Sequence, residues 1–163
     1  MLFRSGEHST DLAVIYGDMP RLVRTVPSGL QALVRAAVQN LNVQDDQARQ
    51  FIIKFGLAPD RLEGQVLRAI DGVLDNFATE LTKSIKFFQT RYPSISVSGI
   101  LLSGFGAAIP MMDNYIANKT GIPATTADPW QHVSLGQADQ QKLAPIASEF
   151  ATVVGLAQRR NGS

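Results

Sequence analysis

Hydrophobic and polar residues alternate along this chain with two different periods, and the first two apolar runs are short. Asp11–Tyr16 and Arg21–Val26 contain β-branched residues, and a short loop with Gly17 and Pro20 separates them. This arrangement predicts two strands joined as a β-hairpin. The first strand is apolar on both faces, which predicts a place inside a sheet, whereas the alternation in the second indicates a more exposed neighbour.

Three helical segments follow the hairpin. Apolar residues at three- and four-residue spacing predict helices over Leu30–Leu41 and Asp45–Phe55. The clearest pattern predicts a helix over Pro59–Tyr92, because its apolar positions form one continuous stripe. The stripe consists of Leu62, Val66, Ile70, Val73, Phe77, Leu81, Ile85 and Phe88. Since typical globular helices run roughly 8–20 residues, Gly64 and Gly72 are candidate positions for a break or a close helix approach.

The second half of the chain alternates strands and helices. Ile95–Leu102 predicts a strand, a glycine-rich turn follows over 103–108, and Pro110 begins a short helix. Ile122–Thr126 predicts a strand at a sheet edge because of its proline. The last helix is predicted over Ala138–Arg159, with a kink at its proline. The order of elements predicts one α/β domain with a mixed sheet and a right-handed βαβ unit.

Composition narrows the classes of function. The 163 residues carry a net charge of +1, which gives no reason to expect nucleic acid or an anionic membrane as a partner. There is no cysteine, so disulfides, thiolate metal sites and a cysteine nucleophile are excluded. The longest apolar run, 99–112, is shorter than the roughly 20 residues that cross a bilayer. The first residues show no secretory pattern, and we expect a cytoplasmic protein.

The strongest candidate for a ligand site is the turn that follows the predicted strand. It consists of Ser103, Gly104, Phe105 and Gly106. Glycines in a strand-to-helix turn let the backbone approach a ligand, as in many nucleotide sites. The turn matches neither G-x-G-x-x-G nor a Walker A loop, and on these residues alone a tight turn that needs glycine is the simpler interpretation.

A second candidate segment precedes the hairpin. Gly6, Ser9 and Thr10 combine a glycine with hydroxyl groups that are able to hydrogen-bond phosphates, and the alternative is an ordinary turn. His8 and His132 are far apart and have no acidic pair in ligand spacing. No serine lies in a nucleophile elbow, and no H-E-x-x-H motif is present. We therefore assign no catalytic residue and no metal ligand.

The ordered series of these segments resembles the C-terminal half of the PilM family, the actin-like ATPases of type IV pilus assembly, which are related to the cell-division protein FtsA. The resemblance covers nearly all of the chain and rests on the segments 9–12, 27–30, 80–88, 100–104, 120–130 and 150–157. It implies a ribonuclease H-like half of the actin/Hsp70-type ATPase fold, with a mixed sheet flanked by helices. The implied organisation is a single half-domain over 1–163 without its N-terminal counterpart.

In this superfamily two α/β halves close on a nucleotide, so the resemblance implies ATP and Mg²⁺ as cofactors. It places a second phosphate motif at Gly6, Ser9 and Thr10, and an adenosine turn at Ser103, Gly104, Gly106 and Ala107.

The sequence departs from the family pattern at four positions. Arg4 stands where the family has an aspartate, and Phe105 replaces a glycine and is expected to crowd the adenosine. Arg49 and Ile52 replace a glutamate and a lysine that usually meet the nucleotide.

The resemblance implies a pilus biogenesis component at the inner face of the cytoplasmic membrane. A PilN-like membrane protein is the implied partner, bound through the absent half, and membrane association occurs only through that partner. The family is ATPase-like, but we expect this chain alone to be inactive and to self-associate. We also expect a fragment whose residues 1–5 are foreign to the natural protein. The alternatives are an FtsA-like filament protein and a sugar-kinase-like phosphotransferase, which needs a catalytic aspartate that we cannot identify.

Overall fold

Five strands form one mixed sheet in the computed structural model, which describes residues 1–17, 19–134 and 136–158. The strands are β1 (Leu2–Ser5), β2 (Thr10–Tyr16), β3 (Met19–Val26), β4 (Ile100–Gly104) and β5 (Ala124–Thr126). Their order across the sheet is β3-β2-β1-β4-β5. β1, β2 and β3 pair antiparallel, whereas β4 pairs parallel with both β1 and β5. The predicted hairpin is confirmed, with β2 inside the sheet and β3 at its edge.

Six α-helices complete the described part of the chain. They are α1 (Leu30–Leu41), α2 (Asp45–Phe55), α3 (Gln65–Arg91), α4 (Met112–Thr120), α5 (Gln137–Leu143) and α6 (Ala147–Ala157). Short 3-10 turns cover Leu62–Gly64, Phe105–Ala108, Pro129–His132 and Ala144–Ile146.

The first strand was not predicted, and residues 1–5, which were expected to be foreign to the natural protein, contribute a strand to the sheet. β1 is the central strand, paired with β2 through Phe3↔Leu12 and with β4 through Phe3↔Leu102. Four residues with an arginine among them carry too short a pattern to predict a strand. Its two neighbours stabilise it: β2 follows it after a short loop, whereas β4 is distant from it in the sequence.

Several boundaries differ from the prediction: α4 begins at Met112 rather than Pro110, and β5 begins at Ala124 rather than Ile122. α3 begins at Gln65 rather than Pro59, because Leu62, Glu63 and Gly64 all adopt positive φ and break the helix there. Leu62 is therefore exposed, while the rest of the stripe from Val66 to Phe88 faces the core apart from the half-buried Val73. Gly64 is the predicted break; Gly72 lies within the continuous helix.

The predicted strand Ile95–Leu102 is displaced towards its end. β4 begins only at Ile100, whose N–H donates to the carbonyl of Pro123, and residues 95–99 belong to no strand. The neighbouring β5 begins after that proline, which has no N–H to donate to a ladder.

The last predicted helix is interrupted rather than kinked, since the turn Ala144–Ile146 separates α5 from α6. Its predicted end at Arg159 lies outside the described residues.

The hydrophobic core lies on one face of the sheet. Phe3, Leu12 and Leu102 point from the three central strands towards α1 and α3, and the Phe3 and Phe77 rings meet edge to face at 6.3 Å. The described residues leave the opposite face largely open, with α6 in contact with β4 there. Leu101 on this face is 44% exposed.

Candidate functional site

The two glycine-containing segments meet at the carboxyl end of the parallel pair β1 and β4. Ser5 lies directly opposite Gly104, so the chain leaves both strands side by side. Ligands of α/β sheets bind at this kind of edge, beside a change in strand direction. A cavity of about 140 Å³ lies between the segments, and its lining consists of Arg4, Ser5, Gly6, Gly104, Phe105, Ser148, Glu149 and Thr152.

Close packing of the two strand ends explains the glycines of the turn. Gly104 has φ +76°, and a Cβ there would lie 2.2 Å from the carbonyl oxygen of Ser5. A Cβ on Gly106 would lie 2.6 Å from the Cβ of Ser5. Both glycines therefore let the turn lie against β1, and this structural role accounts for them without a ligand. Gly104 and Phe105 line the cavity, while Gly106 and Ser103 are buried behind it.

The loop between β1 and β2 is oriented by the first turn of α1. The N–H groups of Leu30 and Gln31 donate to the carbonyls of Gly6 and Glu7, at 3.0 and 2.9 Å. In a trans peptide the carbonyl oxygen and the amide hydrogen point in opposite directions, and the chain has no cis peptide in its described residues. The amides of Glu7 and His8 therefore point away from α1. Successive amides presented in this way form a concavity for an anion.

Two of the predicted phosphate-binding groups are engaged inside the fold instead. The hydroxyl of Thr10 donates to the carbonyl of Ser28 at 2.8 Å, and Thr10 is fully buried. The N–H of Gly6 donates to the carbonyl of Ser9 at 2.8 Å. Thr10 thus anchors the loop and does not offer its proton to a ligand. The amides of Glu7 and His8 were not predicted from the residues, because backbone orientation has no signature in residue types.

A charged cluster ties the same loop to the helices. Arg49 of α2 makes a two-pronged ion pair with Glu7, with Nη1 at 3.3 Å from Oε2, and its Nη2 also donates to the Gln31 side chain. The hydrogen bond from Arg49 lowers the pKa of the Glu7 carboxyl, and the same bond raises that of the guanidinium. Arg49, predicted as a departure from the nucleotide pattern, therefore fixes the loop.

We expect Arg49→Leu to lower the free energy of unfolding by about 1 kcal/mol at neutral pH, as for a well-formed ion pair near the surface. Because the pKa of Glu7 is lowered in the fold, its contribution is present above its ordinary pKa of 4.5 and is lost as the pH falls through the folded value. The difference from the unmodified chain should therefore disappear under acidic conditions. Urea unfolding at a series of pH values measures it.

Arg61→Leu is the matched control, since Arg61 lies 3.8 Å from Asp60 and both side chains are exposed. Its unfolding should match the unmodified chain at every pH. A loss in Arg49→Leu that persists unchanged in acid would contradict the assigned role of the ion pair.

The charges around the cavity do not form a metal site. Arg4, which the resemblance places at a position where an aspartate is expected, donates to Asp11 at 3.0 Å across the open sheet face. Within the described ranges, no three His, Asp or Glu side chains come close enough to hold a metal ion. Glu149 places a carboxylate at the cavity from the α6 side. The negative charge of Glu149 repels another anion, so a phosphate binds most favourably on the side of the cavity that the β1–β2 loop forms.

A larger cavity of about 640 Å³ lies away from both glycine segments. Thr126, Asp128, Trp130, Val133 and Ala147 contribute to its lining. The Trp130 ring lies 5.9 Å from the ring of Phe150, and its Nε1 donates to the carbonyl of Leu143. These contacts give Trp130 a packing role between the turn Pro129–His132 and α6.

One side of α6 is apolar and exposed. Phe150, Val153 and Leu156 follow at three-residue spacing, and all three side chains are exposed. Together they give α6 an apolar surface that the described residues leave uncovered, and Leu101 on the open sheet face is exposed as well. Such surfaces usually mark an interaction site.

Comparisons with solved structures identify the fold. The PilM-PilN type IV pilus biogenesis complex is similar with a TM-score of 0.79 and 25% identity, over 96% of this chain and 44% of that chain. The ethanolamine utilization protein EutJ from Carboxydothermus hydrogenoformans has a TM-score of 0.66 and 15% identity, over 96% and 47%. MreB 5 of Spiroplasma citri bound to AMPPNP has a TM-score of 0.59 and 15% identity, over 96% and 50%.

These likenesses confirm the predicted fold class, a mixed sheet flanked by helices in the actin-like ATPase fold. The chain spans about half the length of each of these structures. Among the described helices, none has both the length and the apolar composition needed to cross a bilayer. The profile of the family described as type IV pilus assembly protein PilM matches residues 1–161, including the strand β1. The chain therefore belongs to the PilM family.

Proposed function

We propose that this chain is the C-terminal half-domain of a type IV pilus assembly protein and supplies one wall of a nucleotide site. The observation that carries the proposal is the convergence, at one sheet edge, of the β1–β2 loop and the glycine turn after β4. Membership of the PilM family supports the role in pilus biogenesis. The alternatives, an FtsA-like filament protein and a sugar-kinase-like phosphotransferase, are not favoured by any observation.

In this proposal a phosphate of ATP binds the amides of Glu7 and His8, with the hydroxyl of Ser9 beside them. The turn at Gly104 and Phe105 forms the adjoining wall, and Ser103 and Gly106 support it from behind. Mg²⁺ would be held mainly by the phosphates of the nucleotide, whose charge it would neutralise, since no three His, Asp or Glu side chains within the described residues come close enough to hold it. This chain's residues bind and orient the nucleotide, and no group in it is assigned to proton transfer.

We further propose that the other half of a longer protein covers the open sheet face and α6. Pocket ligands bury roughly 70–90% of their surface, and the 140 Å³ cavity at the turn is far too small for a nucleotide. The other half would supply a second wall that completes the site, as the resemblance implies, and it would also cover Val153 and Leu156. In this arrangement the protein works as a cytoplasmic scaffold at the inner membrane, bound to a PilN-like partner through that other half.

The isolated chain should therefore bind Mg-ATP weakly and should not hydrolyse it. Isothermal titration with Mg-ATP measures the affinity, and phosphate release measures turnover. Phe105→Gly should tighten the weak binding if the phenylalanine crowds the adenosine. Micromolar binding by the unmodified chain, or turnover above the buffer rate, would contradict the half-site.

The cellular role is tested separately. In the organism that encodes the chain, an in-frame deletion of its coding segment should abolish surface pili, counted by electron microscopy, and the unmodified gene should restore them. Normal pili in the deletion strain would overturn the role in pilus biogenesis.

A further inference from the structure

Glu7 brings two groups with opposite effects on an anion to the β1–β2 loop. Its amide and that of His8 point away from α1, because the carbonyls of Gly6 and Glu7 accept hydrogen bonds from the first turn of that helix. Its side chain ends in a carboxylate, whose oxygens lie at most about 6 Å from the amide nitrogen of the same residue. Since the Debye length at physiological salt is about 8 Å, salt screens this charge only partly. An unpaired Glu7 carboxylate would therefore repel a phosphate that the amides attract.

Arg49 removes this repulsion by pairing with the carboxylate. Its Nη1 lies 3.3 Å from Oε2 of Glu7, and its Nη2 donates to Oε1. The same Nη2 donates to the side chain of Gln31 at 3.3 Å, while the backbone N–H of Gln31 donates to the carbonyl of Glu7 at 2.9 Å. One residue of α1 thus holds both the loop backbone and the guanidinium. The ion pair is preformed, because two helices fix it.

The other charges near Arg49 are negative. Asp45 and Asp46 lie in the first turn of α2. The hydrogen bond to Glu7 raises the pKa of the Arg49 guanidinium, and the charges of Glu7, Asp45 and Asp46 raise it further. Glu149 adds a carboxylate from the opposite side of the cavity. Loss of Arg49 would therefore leave the loop in a negative potential that disfavours any anion.

We propose that Arg49 is a positioning residue for a phosphate group: it cancels the charge of Glu7 and thereby allows the amides of Glu7 and His8 to bind the anion. This inference rests on the proposed nucleotide site. It gives a role there to a residue at which the sequence departs from the family pattern. Arg49 acts through Glu7 and does not contact the phosphate. Because Coulomb energy scales with the product of the charges, a multiply charged phosphate depends on this pairing more than a monovalent anion does.

The test is a nuclear magnetic resonance titration of the isotope-labelled chain with inorganic pyrophosphate at constant ionic strength. Pyrophosphate carries the phosphate charge without the adenosine, which needs the second wall of the site. The amide signals of Glu7 and His8 should shift with a dissociation constant on the order of 1 mM. Spectra recorded before the titration show that each variant is folded.

Three variants separate the charge of Arg49 from its hold on the loop. Arg49→Leu should weaken pyrophosphate binding by at least about fivefold, because it exposes the Glu7 charge. Glu7→Gln should bind at least as tightly as the unmodified chain, because the repelling charge is gone and the arginine remains. The double variant Glu7→Gln with Arg49→Leu has the net charge of the unmodified chain, and its affinity should return to within about twofold.

Two further variants are controls. Arg49→Lys keeps the positive charge and should retain most of the affinity that Arg49→Leu loses. Lys54→Leu removes a positive charge from an exposed position on the same helix without touching the ion pair. It should bind pyrophosphate as the unmodified chain does.

A purely structural role of the ion pair predicts different results. Glu7→Gln would then weaken binding, and the double variant would be as weak as Arg49→Leu; either result overturns the proposal. A double variant that stays weak while Glu7→Gln binds more tightly would show that Arg49 contacts the phosphate itself, and this also overturns it. Lys54→Leu as weak as Arg49→Leu would reduce the effect to general charge and contradict the assigned pairing.

Failure of the inference is distinguishable from failure of the proposed nucleotide site. If the amides of Glu7 and His8 in the unmodified chain do not shift at about 20 mM pyrophosphate, the phosphate site is refuted and this inference with it. If they shift equally in the unmodified chain and in Arg49→Leu, the phosphate site stands and only the role of Arg49 is refuted.

Discussion

Gly104→Ala should destabilise the domain by about 3–5 kcal/mol, a range that for a single substitution points to one severe structural conflict. The added Cβ would lie 2.2 Å from the carbonyl oxygen of Ser5, which belongs to the central strand and cannot move without breaking its pairing with β4. The φ of +76° adds strain for any residue with a side chain. Since whole domains are stable by about 5–15 kcal/mol, most of the native stability is expected to be lost. Urea unfolding followed by circular dichroism measures the change.

Gly72→Ala provides the matched control within the same chain. Gly72 lies inside α3, and a Cβ there meets no heavy atom within 4 Å. Alanine in a helix interior is favoured over glycine by about 1 kcal/mol, so this variant should be more stable than the unmodified chain. Equal stabilities of the two variants would show that the turn does not pack on β1 as described.

Phe3→Ala should cost about 3–5 kcal/mol, as for other buried phenylalanines. The Phe3 side chain is 2% exposed and lies between the sheet and α3, with its ring against Phe77. Its truncation leaves a cavity at the centre of the core, where the rigid strands on both sides limit collapse. Thermal unfolding followed by circular dichroism measures the loss.

Phe87→Ala is the control for Phe3→Ala, because Phe87 is mostly exposed on the same helix that Phe3 packs against. It should change stability by less than about 0.5 kcal/mol, as is usual for surface substitutions. If Phe3→Ala were as mild as this control, residues 1–5 would be an appendage and not the central strand of the domain.

The elements that were predicted correctly are those whose signals are local. Within α3 the apolar stripe runs without interruption from Val66 to Phe88, and α2 and α4 end at Gly56 and Gly121, both with positive φ. The hairpin has both strands and its turn within residues 10–26. Each of these signals can be read within one element, because helix periodicity and turn residues depend on the neighbouring residues in the chain.

The elements that were missed depend on contacts across the sheet. β1 is a strand because β2 and β4 lie on either side of it, and β4 begins at Ile100 because its neighbour begins only after Pro123. The predicted site shows the same limit. Both glycine segments were identified from residue types, but neither the commitment of Thr10 to Ser28 nor the pairing of Glu7 with Arg49 has a local signal.

By itself the sequence determined the class of fold, the helical stripe that covers the sheet and the two segments able to approach a ligand. Periodicity, glycine and proline encode these features within a few neighbouring residues. Only the tertiary structure decided that the two segments meet, that the amides of Glu7 and His8 point away from α1, and that the described residues leave one sheet face and the edge of β3 uncovered. These properties arise from the relative positions of elements separated by up to about a hundred residues, and no local pattern records the pairing of β1 with β4.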